Sequence, residues 1–487
     1  MLAMVDVART PHHLTNDPRR LVLRPFIPGT VNFGGDQGRL ERIISRVLEL
    51  PGSECETILG ELRARNHSRF PDLERKWMDH FEIARHRIPS FDPPVDESQA
   101  LLIGATLSQA YAYEGAALTN PSMVAVGQSR SGRQSFVMSA RAIGEGHISS
   151  IAFITGAVDE AGEVTLDQRH PHVSNGWRSS PTYSRQAFTG KLDELGFTTA
   201  ATRKTLELLP QAFTAADMAS ALDKLLESDV DDLSAQDAVK RMHWLADSNY
   251  ELGFDASLPI SEHVISPAAP VESHGIEDAR FVRFVDDGGE VTYYATYTAY
   301  DGVRILPQLI ETVDFHSFRM ATMTGPALNH KGMAIFPRKI NDEYVALSRH
   351  DHERSYVLRS ENIRTWNNAE LVFGPQQTWD IVQSGNCGSP IETDAGWLVI
   401  THGVGPMRRY VLGALMLDLD EPSKVVARLR MPFIEPSIEE SYGYVPDVLY
   451  SCGSMLHGDN LITPFGYADA GIKIAATPVR DLIAAMD

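Results

Sequence analysis

The chain predicts a mostly β fold carrying two helical regions. Three observations lead there. Short strand-like runs separated by Gly, Asn and Asp begin near Ala100, stop, and resume from Ala279 to the end. Apolar residues at helical spacing are confined to two blocks, Gly38 to Ile88 and Ser184 to Tyr250. The strand runs are many, short and near-regularly spaced, which favours a propeller, sandwich or barrel over a parallel α/β sheet.

In the first block Leu40, Ile43, Ile44, Val47 and Leu48 mark one helical face, and Pro51-Gly52-Ser53 interrupts it. Ile58, Leu59 and Leu62 continue the pattern, a third helix follows over Phe70 to Ile88, and Pro89, Pro93 and Pro94 close the zone. Ser135 to Arg141 and His147 to Thr155 read as a strand pair turned at Gly144-Glu145-Gly146. The second helical block repeats Leu206, Leu208, Leu209, Met218, Leu222, Leu225 and Leu226, with Thr214 to Asp217 as a helix cap. Strands are then expected at Phe281–Phe284, Glu290–Tyr300, Met333–Phe336, Tyr344–Ser348, Trp397–His402, Tyr410–Leu417 and Leu461–Tyr467. Pattern alone leaves the number of blades or layers open, because no clean repeat is present.

Composition narrows the partners. A formal net charge of −20 repels nucleic acid and anionic membrane, so neither is expected as a partner. A local cluster of cations is still able to hold a phosphate. The three cysteines, Cys55, Cys387 and Cys452, lack metal-site or disulfide-framework spacing. Residues 1–20 show no apolar segment of signal-peptide length, and no apolar run approaches the ~18 residues needed to cross a bilayer. A cytoplasmic, reduced setting is the expectation.

The chemistry concentrates at Gly275-Ile276-Glu277-Asp278-Ala279-Arg280. Two adjacent carboxylates enter a strand, an aromatic-rich strand follows (Val291 to Tyr300), and Arg304 lies on the next turn. Such a set suits sugar chemistry, in which an acid donates a proton and a cation holds an anionic partner. With Tyr297 to Gly302, this segment resembles the core of glycoside hydrolase family 130, the β-mannoside phosphorylases and their hydrolytic relatives. Further stretches agree in order and spacing: His330 to Ile340, Gly396 to Val404, Leu412 to Pro422, and Val445-Pro446-Asp447-Val448 with Cys452-Gly453. Gly466 to Asp469 also fits. The resemblance spans about 100–160 and 261–487.

The resemblance implies a five-bladed β-propeller over residues 99–487 with a helical insertion at about 184–250, preceded by a helical extension over 1–98. It implies inverting phosphorolysis of a β-mannoside to α-mannose 1-phosphate, with Asp278 as general acid acting through a mannose hydroxyl. Inorganic phosphate would be co-substrate, with no cofactor and no metal. Arg304, Lys331, His402 and Arg349 fall where phosphate contacts are expected; for each, an ordinary salt bridge is the competing reading. Asn120, Arg141, Glu145, His147, Glu277, Asp351, Tyr442 and Asp469 are expected to line the sugar site, or else to hydrogen-bond within turns. Trp366, Trp379 and Trp397 are candidates to stack on sugar, with Trp397 better placed in the core.

Two departures bear on the substrate. Ala279 stands where proline is common, and Asp447 where asparagine is common. The cluster His350 to Glu353 is not expected to hold a metal, since neighbouring residues on a strand point to opposite sides. Two alternatives remain open, an inverting β-mannosidase and a non-catalytic glycan-binding propeller. The linkage inclines to β-1,2, and a homo-oligomer is expected on family grounds.

Overall fold

A computed structural model describes residues 5–28, 38–88, 94–228, 233–303, 305–328 and 331–487. Its contacts divide the chain into two units, one of Asp17–Gly115 with His170–Ser174 and one of the remainder. The sequence boundary at 98/99 therefore differs from the contact boundaries at 16/17 and 115/116.

The smaller unit holds helices Gly38–Leu48, Gly52–Asn66, Leu73–Arg87 and Glu97–Thr106, with strand Leu21–Pro25 paired antiparallel to Ser108–Ala112. Its core gathers Leu59, Trp77, Phe81, Leu102 and Ile103. The fourth helix corrects the expectation of β texture from Ala100. Asp96 and Gln99 form a reciprocal cap at its start. Ala100 to Gly104 are all buried, so the segment carries no amphipathic stripe that could have betrayed a helix. Gly104 lets two helices touch, since a Cβ there would lie 1.8 Å from the Trp77 carbonyl oxygen.

Among the described residues, the larger unit contains five antiparallel sheets of four or more strands. The first is built on Ala117–Ala125, Gln134–Ile143 and Ser149–Val158, confirming the expected hairpin. The second runs Ile276–Val285, Val291–Tyr300, Ile305–Thr312 and Ser317–Thr322, extended by Tyr250–Gly253 and Trp177–Ser179. The third comprises Ala334–Ile335, Tyr344–Ser348, Ser355–Ser360 and Asn368–Phe373, and the fourth centres on Gln383–Asn386, Gly396–Val404 and Tyr410–Leu417. In the fifth, Leu449–Tyr450, Asn460–Tyr467 and Gly471–Pro478 are joined by Ala8–Leu14 from the other end of the chain. Between the strands Trp177–Ser179 and Tyr250–Gly253 of the second sheet, helices Arg185–Glu194, Ala200–Leu208, Ala215–Ser228 and Leu233–Asp247 occupy the second helical block. Thr214 and Asp217 cap the third of these reciprocally, as expected.

Hydrogen bonds stitch each sheet to the next. Phe281 N donates to Ser122 Oγ at 3.0 Å (second to first), Val285 N to Pro337 O at 2.9 Å, Ser384 N to Glu353 O at 3.0 Å and Tyr410 N to Asp447 O at 2.9 Å. Cys452 N to Pro121 O at 2.7 Å brings the fifth sheet back to the first. One edge strand of each sheet (Ala117–Ala125, Ile276–Val285, Ala334–Ile335, Gln383–Asn386, Leu449–Tyr450) lies in or beside these seams, and the candidate site draws on all five sheets.

Candidate active site

Two β-bulges create the centre. The first interrupts strand register between Thr119 and Ser122, the second between Glu277 and Arg280. Each contains one residue with left-handed backbone, Asn120 (φ 48°) and Asp278 (φ 56°), and Asn and Asp are the non-glycine residues that tolerate this best. A bulge re-aims a side chain that regular pleating would send elsewhere. Here the two side chains meet, with Asn120 Nδ2 donating to Asp278 Oδ1 at 2.5 Å.

Three cations surround the pair of carboxylates. Arg141 Nη2 and Lys331 Nζ grip the two oxygens of Glu277, each at 2.7 Å, and Arg141 Nε is held by Ser149 Oγ at 2.7 Å. Arg280, 1% exposed, has a terminal nitrogen 3.9 Å from Asp278 Oδ2. Its remaining bonds go to the carbonyls of Cys387 and Asp278 and the hydroxyl of Tyr450, at 2.9–3.0 Å. Burial by itself would raise the Asp278 carboxyl. Arg280, Arg141, the Asn120 hydrogen bond and Lys331 outweigh it, so the group sits below the usual carboxylate range and is ionised at neutral pH. Asp469, which accepts from Thr119 Oγ1 at 3.3 Å, moves the other way. Burial raises it, and the nearby charges of Asp278 and Glu277 add to that despite Arg141 and Thr119.

A second patch lies on the third and fourth sheets. Arg349 follows strand Tyr344–Ser348, and its Nε is buried with no hydrogen-bond partner among the described residues. One of its terminal nitrogens lies 3.5 Å from His402 Nε2, which also faces Gln383 Nε2 at 3.1 Å. Burial first, then Arg349 and Arg280, hold His402 far below its ordinary value, so it is neutral. Gly332 and Gly385 leave room for Arg349, since a Cβ at either would come within 2.6 Å of its side chain. The patch is a neutral imidazole beside a guanidinium with an unspent donor, chemistry suited to an oxyanion.

The structure thus brings Asp278, Glu277, Asn120, Arg141, Lys331 and Asp469 into one cluster and Arg349 with His402 into another. Arg304 lies outside the described residues. Asp351 is engaged by its own turn, accepting from Glu353 N, Arg354 N, Arg354 Nε and Tyr356 OH. Burial is the largest single influence and would raise the carboxyl, but these bonds together outweigh it and hold the group down at about 2. Glu145, His147 and Tyr442 are exposed. Two of the three candidate tryptophans offer no face to sugar, which corrects the expectation for Trp366. Trp366 and Trp397 are fully buried. Trp379 covers Gly403 and Gly413, where a Cβ would come within 2.5 Å of its ring.

Sequence reasoning passed over Arg280, Tyr450, Gln383, Ser149 and Thr119. Arg280 was legible as the last residue of the quoted motif; the others carry no local signal. A cavity of about 690 Å³ lies elsewhere, between the helical insertion and the second and third sheets, and shares no residue with these clusters.

The chain belongs to glycoside hydrolase family 130. The family profile, described as beta-1,4-mannooligosaccharide phosphorylase, matches residues 257–487. The 1,2-beta-oligomannan phosphorylase of Thermoanaerobacter sp. strain X514 is 32% identical over 230 residues, which is 46% of this chain and 75% of that protein. The beta-1,2-mannobiose phosphorylase of Listeria innocua serovar 6a is 31% identical over 45% of this chain and 61% of its own length. The solved structure of a Listeria innocua beta-1,2-mannobiose phosphorylase with beta-1,2-mannobiose aligns over 77% of this chain and 92% of its own, with 20% identity and a TM-score of 0.45.

Proposed function

We propose that this chain catalyses the inverting phosphorolysis of β-mannosides, releasing α-mannose 1-phosphate and a shortened sugar, and that its five sheets are the blades of a five-bladed β-propeller around Asp278. The observation that carries the reading is the pairing of one bulge-held carboxylate, Asp278, with a separate cationic patch whose Arg349 Nε is unspent. A phosphorylase needs an acid and an anion site. It has no need of a base to activate water, because phosphate is itself the nucleophile.

In the reaction a phosphate oxygen bonds to the anomeric carbon as the glycosidic C–O bond breaks, and Asp278 supplies the proton that the leaving oxygen acquires, through a mannose hydroxyl. Arg349 and His402 hold the phosphate, with Lys331 at the border between the two clusters. Asn120, Arg141, Glu277 and Asp469 bind the donor mannose. Asp278 must carry a proton to act. The negative charge of bound phosphate offsets the cations that depress it, which raises its proton affinity when the complex forms. The β-1,2 linkage in the names of both relatives above favours that substrate over the β-1,4 linkage in the family description.

A second reading has one specific observation behind it. Asp278 and Asp469 are pushed in opposite directions, the pattern of a base and an acid in an inverting hydrolase. Product analysis on β-1,2- and β-1,4-mannobiose, with and without inorganic phosphate, separates the two. Mannose 1-phosphate formed only with phosphate supports the phosphorylase. Free mannose at an equal rate without phosphate establishes the hydrolase.

A further inference from the structure

We propose that Tyr444, buttressed by His147, is the platform on which the leaving sugar stacks. The idea rests on the phosphorylase reading above. Inversion requires the nucleophile and the leaving group to lie on opposite sides of the anomeric carbon. With the five sheets arranged around Asp278 as proposed, the placement of Arg349 and His402 on the third and fourth sheets puts the leaving sugar toward the first sheet and its seam with the fifth.

An exposed aromatic pair stands there. His147, on the turn between two strands of the first sheet, stacks on Tyr444 with ring centroids 5.4 Å apart and an interplanar angle of 27°. Tyr444 is 71% exposed. Each ring is tied to the Asp278 cluster through its own backbone. His147 is two residues from Ser149, which holds Arg141. Gly443 packs against Ala468, where a Cβ would come within 2.5 Å of the carbonyl oxygen, and Val445 N donates to that carbonyl at 2.9 Å. The next residue, Asp469, belongs to the cluster.

Tyr444 is thus clamped on both sides, yet its ring is mostly open to water. A large exposed ring backed by a second ring offers the C–H face of a pyranose a flat apolar surface, and the phenol keeps a hydroxyl for its rim. Neither ring hydrogen-bonds to the Asp278 cluster among the described residues, which assigns the pair to the sugar that leaves in phosphorolysis and enters in synthesis.

The test runs the reaction in reverse, from mannose 1-phosphate and a mannose or β-1,2-mannobiose acceptor. Tyr444→Ala should raise the acceptor KM about tenfold while the mannose 1-phosphate KM and kcat stay within about twofold. Tyr444→Phe should restore the acceptor KM, and His147→Ala should show a smaller change of the same kind. An unchanged acceptor KM in Tyr444→Ala, or an equal rise for both substrates, overturns the proposal. If the wild-type enzyme forms no disaccharide and shows no phosphate-dependent turnover, the phosphorylase reading itself has failed, and this proposal falls with it.

Discussion

At the scale of single residues the two clusters would have separable jobs in a phosphorylase, and kinetics can tell them apart. Asp278→Asn keeps a residue that accepts left-handed backbone, so the bulge should survive and the melting temperature should move little. Turnover should drop by roughly 10²–10⁴, the usual loss for a positioned acid, while the disaccharide KM stays within a few-fold. A variant of near-normal kcat would remove Asp278 from the mechanism. Arg349→Ala removes a charge-assisted contact of about 1.5–3 kcal/mol. The phosphate KM should therefore rise about 10- to 100-fold with little change in the sugar KM. Parallel rises in both would assign Arg349 to shaping the site and not to holding phosphate. Residue types and local motif exposed Asp278, Lys331 and Arg280 to a reader of the sequence. They did not show that Lys331 is committed to Glu277 or that Arg349 is the cation with an unspent donor, because pairing is settled by neighbours far away in the chain.

At the scale of elements, close approach decides what is tolerated. Gly104→Ala would gain about 1 kcal/mol of helix propensity. Its Cβ would also collide with the Trp77 backbone, which cannot swing aside as a side chain can. Overpacking of this kind costs about 1–3 kcal/mol or more, so the substitution should destabilise the smaller unit despite the propensity gain, and a lowered denaturant midpoint would show it. An unchanged or raised midpoint would mean that the two helices part easily. Periodicity recovered the helices with one apolar face, and the alternating strands as well. It missed the helix Glu97–Thr106, buried along Ala100 to Gly104, and the strand Ala8–Leu14, whose Pro11 and two histidines give no strand signal and whose partner lies at the far end of the chain. Both failures share a cause, in that the element takes its conformation from what packs on it.

Across the molecule, buried histidines couple stability to pH. His263 is fully buried, lies 3.0 Å through Nδ1 from the Phe315 carbonyl and stacks on Phe254 at 4.3 Å. Burial lowers it from 6.5 to about 4. As pH falls below 6.5 the unfolded chain takes up a proton that the folded chain refuses, so stability is lost from pH 6.5 downward until the folded value near 4 is reached. At pH 5 the loss amounts to about 2 kcal/mol, at about 1.4 kcal/mol per pH unit. Glu272, raised by its burial, works in the opposite sense in the same core. The comparison of wild type with His263→Asn isolates the histidine. The variant should lose less stability than wild type between pH 7 and pH 5 in urea unfolding, and equal losses would show that His263 titrates normally.

The sequence by itself determined that the chain is mostly β with two helical blocks, and that it carries a family 130 motif set with Asp278 within it. These follow from alternation, spacing and residue type, all of which are local. Tertiary structure alone decided that Asn120 and Asp278 meet, that the first and last strands share a sheet, and that Asp278 and Asp469 shift in opposite directions. A bulge, a strand pairing between chain ends and a buried carboxylate's environment each depend on groups brought together from distant positions, and no window along the chain contains both partners.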